Sequence, residues 1–81
     1  MLRLLVVEDN SRLGGALMAG LERTGQVQAS LGCESGEEAL QICLREPVDA
    51  ILMDVQLAGP MNGIEAAVAI RREFPRLPVV F

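Results

Sequence analysis

The sequence contains no histidine, and its two cysteines, Cys33 and Cys43, lie ten positions apart. Without histidine, these thiols form neither the ligand pattern of a zinc site nor a Cys–His nucleophile pair. We interpret them as two core residues of a protein that resides in a reducing compartment. A cysteine-based zinc site and a cysteine hydrolase are therefore excluded.

Positive charge is scarce, since seven arginines and no lysine oppose eleven acidic residues, for a net charge of -4 at pH 7. No basic stripe is available to follow a phosphate backbone, so we predict no direct contact with nucleic acid. Long apolar runs are absent as well, because the first one ends at Glu8, far short of a signal-peptide core or a membrane span. We therefore expect a cytoplasmic protein that makes no membrane contact.

Hydrophobic residues make up 51% of the 81 positions and charged residues 22%. This composition is too apolar for a disordered tail, and the length allows one small core. Short apolar runs alternate with segments of helical spacing, which predicts an α/β fold with a parallel sheet and right-handed crossovers. The predicted strands span residues 4–7, 27–31, 50–53 and 77–81, and the second of them is suited to a sheet edge.

Capping residues mark the predicted helices. The first helix begins near Ser11 and ends before Gly25, which is suited to a left-handed C-terminal cap. The second begins at a capping box formed by Ser35 and Glu38, in which each side chain binds a free backbone amide. We expect inward-facing residues at Leu13, Ala16, Leu17, Gly20 and Leu21 in the first helix, and at Ala67, Ile70 and Phe74 in a third helix that begins at Asn62.

Acidic residues follow two of the predicted strands: Glu8 and Asp9 come after the first, and Asp54 comes after the third. In an open parallel sheet, ligands bind beyond the carboxyl ends of the strands, where the strand order reverses. If the first and third strands are neighbours, the three carboxylates converge. Acids at strand ends also commonly cap helices or contact water. The pair Glu8 and Asp9 alone, or Asp54 alone, is therefore also compatible with a purely structural role.

Converging carboxylates need a counter-charge. Two like charges ~4 Å apart repel by about 4 kcal/mol at an effective dielectric of 20, and either a proton or a cation relieves this repulsion. Hard oxygen ligands favour magnesium or manganese over zinc or copper. We therefore predict a Mg²⁺ site that also admits a phosphoryl donor, at which a carboxylate nucleophile could form an acyl phosphate.

In combination, these segments resemble the response-regulator receiver domain, the phosphoacceptor of two-component signalling. The matching stretches are residues 5–10 (LVVEDN), 35–40 (SGEEAL), 49–54 (DAILMD), 63–66 (GIEA) and 78–80 (PVV). The resemblance implies a flavodoxin-like three-layer fold, a parallel sheet of strand order 2-1-3-4 with helices on both faces.

The resemblance also implies roles for individual residues. Asp54 would be the phosphorylated residue, Asp9 would bind Mg²⁺ directly, and Glu8 would bind it through water. The backbone carbonyl of Gln56 would complete the metal ligands, and Gln56 and Leu57 would line the mouth of the site. The phosphoryl group would come from a histidine kinase or a phosphotransfer protein, and an output domain or effector protein would receive the signal.

Two departures from the family pattern are visible. The loop between Asp54 and Gly63 is one residue longer than the commonest pattern. Family members place a serine or threonine after the fourth strand and a lysine after the fifth, whereas this chain has no lysine and no hydroxyl residue after Asp54. We therefore interpret residues 1–81 as a receiver domain truncated after the fourth strand, without strand five and two helices, and expect its phosphorylation to be impaired.

Other functions remain open alongside a phosphoacceptor switch that has no catalytic residues of its own. A magnesium-dependent phosphatase with an aspartate nucleophile generally needs a second acid two residues later, where Gln56 stands. A nucleotide or flavin binder needs a glycine-rich or hydroxyl-rich loop after the first strand, where Glu8, Asp9 and Asn10 would repel phosphate. A degenerate receiver that acts only through protein contacts is the remaining alternative.

An unpaired fourth strand predicts self-association, because residues 79–81 would present an apolar sheet edge to solvent. We expect a homodimer or an aggregate formed through this edge, with an apparent mass that rises with concentration in multi-angle light scattering. A mass that stays at one chain up to high concentration would contradict this prediction.

Overall fold

Strands and helices alternate along the chain in the computed structural model, which describes residues 2–81, apart from the side chains of residues 28–30. The elements are β1 (Leu2–Val7), α1 (Ser11–Arg23), β2 (Val27–Cys33), α2 (Gly36–Arg45), β3 (Ala50–Met53), α3 (Gly63–Glu73) and β4 (Val79–Val80). The alternation confirms the predicted α/β class. The fourth strand is shorter than expected, since Leu77 and Phe81 lie outside it.

The four strands form one parallel sheet of order β2-β1-β3-β4. This order confirms the expected 2-1-3-4 arrangement and places β2 at an edge. β1 lies between β2 and β3, and its last residue, Val7, is paired with Cys33 on one side and with Met53 on the other. The carboxyl ends of these three strands therefore meet at the same edge of the sheet.

The core lies mainly between the sheet and the pair α2 and α3. Leu5 of β1, Ile51 of β3 and Ile70 of α3 are all at most 1% exposed. The other face of the sheet carries Val6, which is 2% exposed and lies beside α1. Helices on both faces of the sheet give the three-layer arrangement that the family resemblance implies. The buried residues of β1 and β3 agree with the continuous apolar runs.

The two thiols confirm the interpretation as core residues, since Cys33 and Cys43 are both buried and free. Burial is the main cause that raises the pKa of Cys33 to about 11, and the negative charge of Glu38 adds to it. Burial also raises the pKa of Cys43. Neither thiol is therefore activated as a nucleophile at neutral pH.

The expected inward face of α1 is wrong in part. Leu13 is 49% exposed and Leu17 is 37% exposed. The helix instead approaches the sheet through Gly14, which is buried near the Glu8 side chain, and through Met18, which lies over Gly32 of β2. Because α1 packs mainly against β2, Leu17 lies at an open groove beside Leu52 and Met53 of β3.

The helix caps largely follow the sequence. Gly25 adopts φ 76°, the left-handed conformation expected of a residue that follows a helix. Asn62 and Glu65 form a complete capping box at α3. At α2 only half of the expected box is present, because Ser35 accepts the Glu38 N–H at 3.2 Å whereas the Glu38 carboxylate accepts from the Ser35 hydroxyl at 3.4 Å.

Burial differences on α3 predict different costs for the same substitution. Ile70→Val should lower the free energy of unfolding by about 0.5–1.5 kcal/mol, because the missing methylene leaves a void in a filled core. Ile64→Val, at a position that is 48% exposed, should change it by less than about 0.5 kcal/mol. Urea unfolding followed by circular dichroism measures both, and equal costs would contradict the described orientation of α3.

Candidate metal and phosphoacceptor site

Two of the predicted site residues, Glu8 and Asp54, lie just beyond the ends of their strands and are held there by backbone hydrogen bonds to the sheet. The Glu8 N–H donates to the Cys33 carbonyl at 3.0 Å, which extends the β1 and β2 ladder by one residue. The Asp54 N–H donates to the Val7 carbonyl at 3.0 Å, which extends the β1 and β3 ladder in the same way. Glu8 and Asp54 therefore leave the sheet side by side.

The three acidic side chains meet at this edge. One carboxylate oxygen from each of Glu8, Asp9 and Asp54 lies within 4.8 Å of the other two. Glu8 and Asp54 are half-buried, and Asp9 is exposed. The predicted convergence of acids from two distant segments is therefore present in the structure.

Local hydrogen bonds orient the segments that carry these acids. Asn10 caps α1, since its side-chain oxygen accepts from the backbone N–H groups of Arg12 and Leu13, both at 3.1 Å. The Asn10 N–H in turn donates to a Glu8 carboxylate oxygen at 3.3 Å. The Gln56 N–H donates to Asp54 Oδ1 at 3.2 Å, so the loop after β3 folds back on the Asp54 side chain.

Partial burial and the neighbouring acids raise the pKa of Glu8. The largest cause of the raised pKa is partial burial of the Glu8 carboxyl. A hydrogen bond with the Asp54 side chain and the negative charges of Asp54 and Asp9 raise the pKa further, whereas the hydrogen bond from the Asn10 N–H lowers it. None of the three carboxylates forms an ion pair with an arginine anywhere in residues 2–81. Their mutual repulsion is therefore left for a proton or a metal ion to relieve.

The donor set fits a hard divalent cation. Every side chain of the cluster offers carboxylate oxygen, which Mg²⁺ prefers, and no nitrogen or sulfur donor belongs to the cluster as described. Asp54 also borders an open groove of about 320 Å³, lined in part by Leu17, Val55 and Phe81. The site thus has three acids that can bind one ion together, and it also has open space beside Asp54.

The segment after Asp54 departs from expectation at one residue. Gln56 is exposed and hydrogen-bonded to Asp54, so its backbone lies beside the site, and its role as a carbonyl ligand stays a prediction. Leu57 was expected at the mouth of the site, but it is 9% exposed and belongs to the hydrophobic core. Its apolar side chain belongs to the same core cluster as Met53 and Ile70.

Gly63 lies against the candidate site. The matching stretch 63–66 (GIEA) contains this glycine but does not show why a glycine is needed there. Its N–H donates to the Val55 carbonyl at 2.9 Å, and a Cβ at this position would collide with the Asp54 carbonyl group. The only signal in the sequence is a glycine next to a helix cap, Asn62, which does not reveal a contact with Asp54.

Comparison with known proteins agrees with this geometry. The response regulator receiver domain family matches residues 4–81. A transcriptional regulatory protein of Bacillus subtilis, YrkP, is 33% identical over 98% of this chain and 32% of its own length. A protein-glutamate methylesterase/protein-glutamine glutaminase of Syntrophus aciditrophicus is 37% identical over 93% of this chain and 21% of its own length.

A solved structure shares the fold closely. The N-terminal domain of a response regulator, sensory box and GGDEF protein from Carboxydothermus hydrogenoformans has a TM-score of 0.87 at 31% identity, over 98% of this chain and 62% of that one. The chain therefore belongs to the response-regulator receiver domain family, whose members generally act as phosphoacceptors and not as enzymes. It spans about a third or less of the curated relatives named above.

The raised pKa of Glu8 predicts a pH-dependent stability difference. A carboxyl whose pKa is raised on folding holds its proton more tightly in the folded chain, so its contribution is favourable at low pH and is lost as the pH rises above its ordinary value near 4.5. Without metal, Glu8→Gln should therefore gain stability relative to the unchanged chain as the pH rises from about 4 to 7.

Urea unfolding across this pH range in the presence of a chelator measures the difference. Glu73→Gln serves as the control, because Glu73 is exposed and lies at the end of α3 that is remote from the acidic cluster. The two variants should diverge with rising pH, and parallel pH profiles would contradict the raised pKa of Glu8.

Proposed function

We propose that Asp54 accepts a phosphoryl group and that Glu8, Asp9 and Asp54, with the backbone carbonyl of Gln56, hold Mg²⁺. The observation that supports this proposal is the approach of three carboxylate oxygens within 4.8 Å of one another at the carboxyl edge of β1 and β3. Mg²⁺ typically binds through one or two carboxylates, water and a phosphate, and this arrangement leaves room for all three.

Phosphoryl transfer to Asp54 needs one bond to form and one to break. A carboxylate oxygen of Asp54 attacks phosphorus, the bond between phosphorus and the donor atom breaks, and the donor leaves with the electron pair. A bound Mg²⁺ would offset the negative charge of the phosphoryl oxygens. The hydrogen bond from the Gln56 N–H to Asp54 Oδ1 keeps the carboxylate oriented before the reaction, which lowers the entropic part of the barrier.

The natural donor in this proposal is a histidine kinase or a phosphotransfer protein, and the signal passes to an output domain or effector protein. The receiver domain itself is not a turnover enzyme and has no catalytic residue beyond the phosphoacceptor. Gln56 supports this view, since the position two residues after the aspartate lacks the acid that aspartate phosphatases use. The methylesterase activity in one relative's name is a property of that protein, of which this chain covers only 21%.

We also propose that the domain acts in the cytoplasm without contacting nucleic acid itself. The net charge of -4 and the acidic site edge oppose binding to a phosphate backbone. Two buried free thiols suit a reducing compartment. No helix within residues 2–81 has the length and apolar character that crossing a membrane requires.

A second candidate function is a protein contact that needs no phosphorylation. Val80 and Phe81 at the β4 edge are each 56% exposed, and Ile64 and Val68 of α3 are about half exposed. Phe81 and the two α3 residues line an open apolar groove of about 430 Å³. We propose this surface, the β4 and α3 groove, as the contact of the homodimer or of a receiver that acts only through protein binding.

Phosphorylation by a small acyl phosphate in the presence of Mg²⁺ tests the main proposal. We expect little or no phosphoryl mass increment on the 81-residue chain, because it supplies neither the lysine nor the hydroxyl that family members direct at the phosphoryl group. A version continued through strand five, with the whole segment that follows the fourth strand in a related receiver, restores both groups and should gain one phosphoryl group per chain, as intact-protein mass spectrometry would show.

Two variants of the continued version complete this test. Asp54→Ala should abolish the increment, and Glu73→Ala, which removes an exposed acid far from the site, should leave it unchanged. A folded continued version that gains no phosphoryl group, or one that keeps the increment in Asp54→Ala, would contradict the assignment of Asp54. Continuous release of phosphate would favour the phosphatase alternative.

A further inference from the structure

Gly63, the first residue of α3, lies directly behind the backbone of Asp54. Its N–H donates to the Val55 carbonyl at 2.9 Å. A Cβ built at Gly63 would overlap the Asp54 carbonyl oxygen and would lie 2.9 Å from both the Asp54 carbonyl carbon and Val55 Cα, closer than real Cβ contacts. Only a hydrogen atom therefore fits between the start of α3 and the end of β3.

The atoms that meet Gly63 belong to the backbone, so they cannot rotate away as a side chain would. On its other side, the Asp54 backbone is held by β1, since the Asp54 N–H donates to the Val7 carbonyl at 3.0 Å. The peptide at Asp54 is thus enclosed between a buried strand and a helix start. Any atom added at Gly63 must displace one of them.

The start of α3 is itself fixed. Asn62 Oδ1 accepts the Glu65 N–H at 2.8 Å, and the Glu65 carboxylate accepts the Asn62 N–H at 3.0 Å. Further along the helix, Ile70 is fully buried in the core. A displacement forced by a larger residue 63 therefore falls on the segment from Asp54 to Gln56, which has the exposed side chains of Val55 and Gln56 and fewer anchors.

That segment carries the functional groups of the proposed site. Besides the bond from the Asp54 N–H to β1, its described hydrogen bonds include the one from the Gly63 N–H to the Val55 carbonyl and the one from the Gln56 N–H to Asp54 Oδ1. We propose that Gly63 is a positioning residue: its missing side chain sets the backbone of residues 54–56, and so aims the Asp54 carboxylate and the Gln56 backbone at the metal ion and the phosphoryl group. This inference rests on the proposed function of Asp54.

Gly36 provides a matched control. It is the first residue of α2, as Gly63 is of α3, and it is also buried. A Cβ at Gly36 would lie 2.7 Å from Ala66 Cβ and 3.2 Å from Met61 Cγ, which are side-chain atoms at the contact between α2 and α3. Gly36→Ala thus disturbs packing against the same helix without touching the Asp54 segment.

The experiment compares Gly63→Ala with Gly36→Ala in the 81-residue chain. Both should unfold at lower urea concentration. Only Gly63→Ala should shift the Gln56 backbone amide resonance in metal-free NMR spectra, because only it disturbs the hydrogen bond to Asp54. Only Gly63→Ala should also weaken binding of Mg²⁺ alone, followed by NMR titration, by ~10-fold or more, as is found when groups that orient metal ligands are replaced.

A second pair of variants decides the matter if Gly63→Ala does not fold. Asn62→Ala removes the side-chain cap of α3, and Ser35→Ala removes the equivalent cap of α2. Loosening the start of α3 should shift the Gln56 amide and weaken Mg²⁺ binding, whereas loosening the start of α2 should do neither.

Two results would overturn the positioning role of Gly63. One is a Gln56 amide that does not move, with Mg²⁺ affinity within twofold of the unchanged chain. The other is an equal loss of Mg²⁺ affinity in both members of a matched pair, which would indicate general destabilisation. An unchanged chain that does not bind Mg²⁺ would instead contradict the proposed metal site, while the Gln56 amide still tests the positioning role without metal.

Discussion

The parallel pairing of β1 with β3 is the contact on which the candidate site depends. Its register places Val7 opposite Met53, so the residues that follow, Glu8 and Asp54, leave the sheet next to each other although they are distant in the sequence. The acids themselves oppose this arrangement, because like charges repel. Burial of apolar side chains such as Leu5 stabilises the pairing and holds the carboxylates together against their repulsion.

The topology also distributes the remaining charges. In a strand, helix, strand sequence with parallel strands, every helix begins at the carboxyl edge of the sheet and ends at the opposite edge. The arginines in the last turns, at positions 23, 45, 71 and 72, complement the helix dipoles there and lie far from the site. No ion pair joins these arginines to the acidic cluster within the described residues. Partial burial, with the neighbouring Asp54 and Asp9 adding to it, raises the pKa of Glu8.

The sequence was sufficient to predict features that follow from local pattern. Continuous apolar runs identified the central strands, and the acids at their ends identified the site. The exposed leucines of α1 were not predictable, because helical spacing shows that a helix has an apolar face but not which strands that face covers. Leu57 and Gly63 were not predictable for a related reason: a loop sequence does not show which of its residues turn into the core or touch a neighbouring backbone.

The site thus depends on three kinds of contact that act at different distances. Burial of apolar side chains brings β1 and β3 together. Backbone hydrogen bonds to the sheet then position Glu8 and Asp54, one residue beyond the strand ends. The close approach of Gly63 fixes the segment after Asp54. The last two kinds involve backbone atoms alone, so they are indifferent to side-chain charge. The phosphorylation and metal binding proposed for Asp54 would therefore change the charge of its side chain without acting directly on the contacts that hold its backbone. A switch that must be used repeatedly needs this separation between the groups that change and the groups that hold them in place.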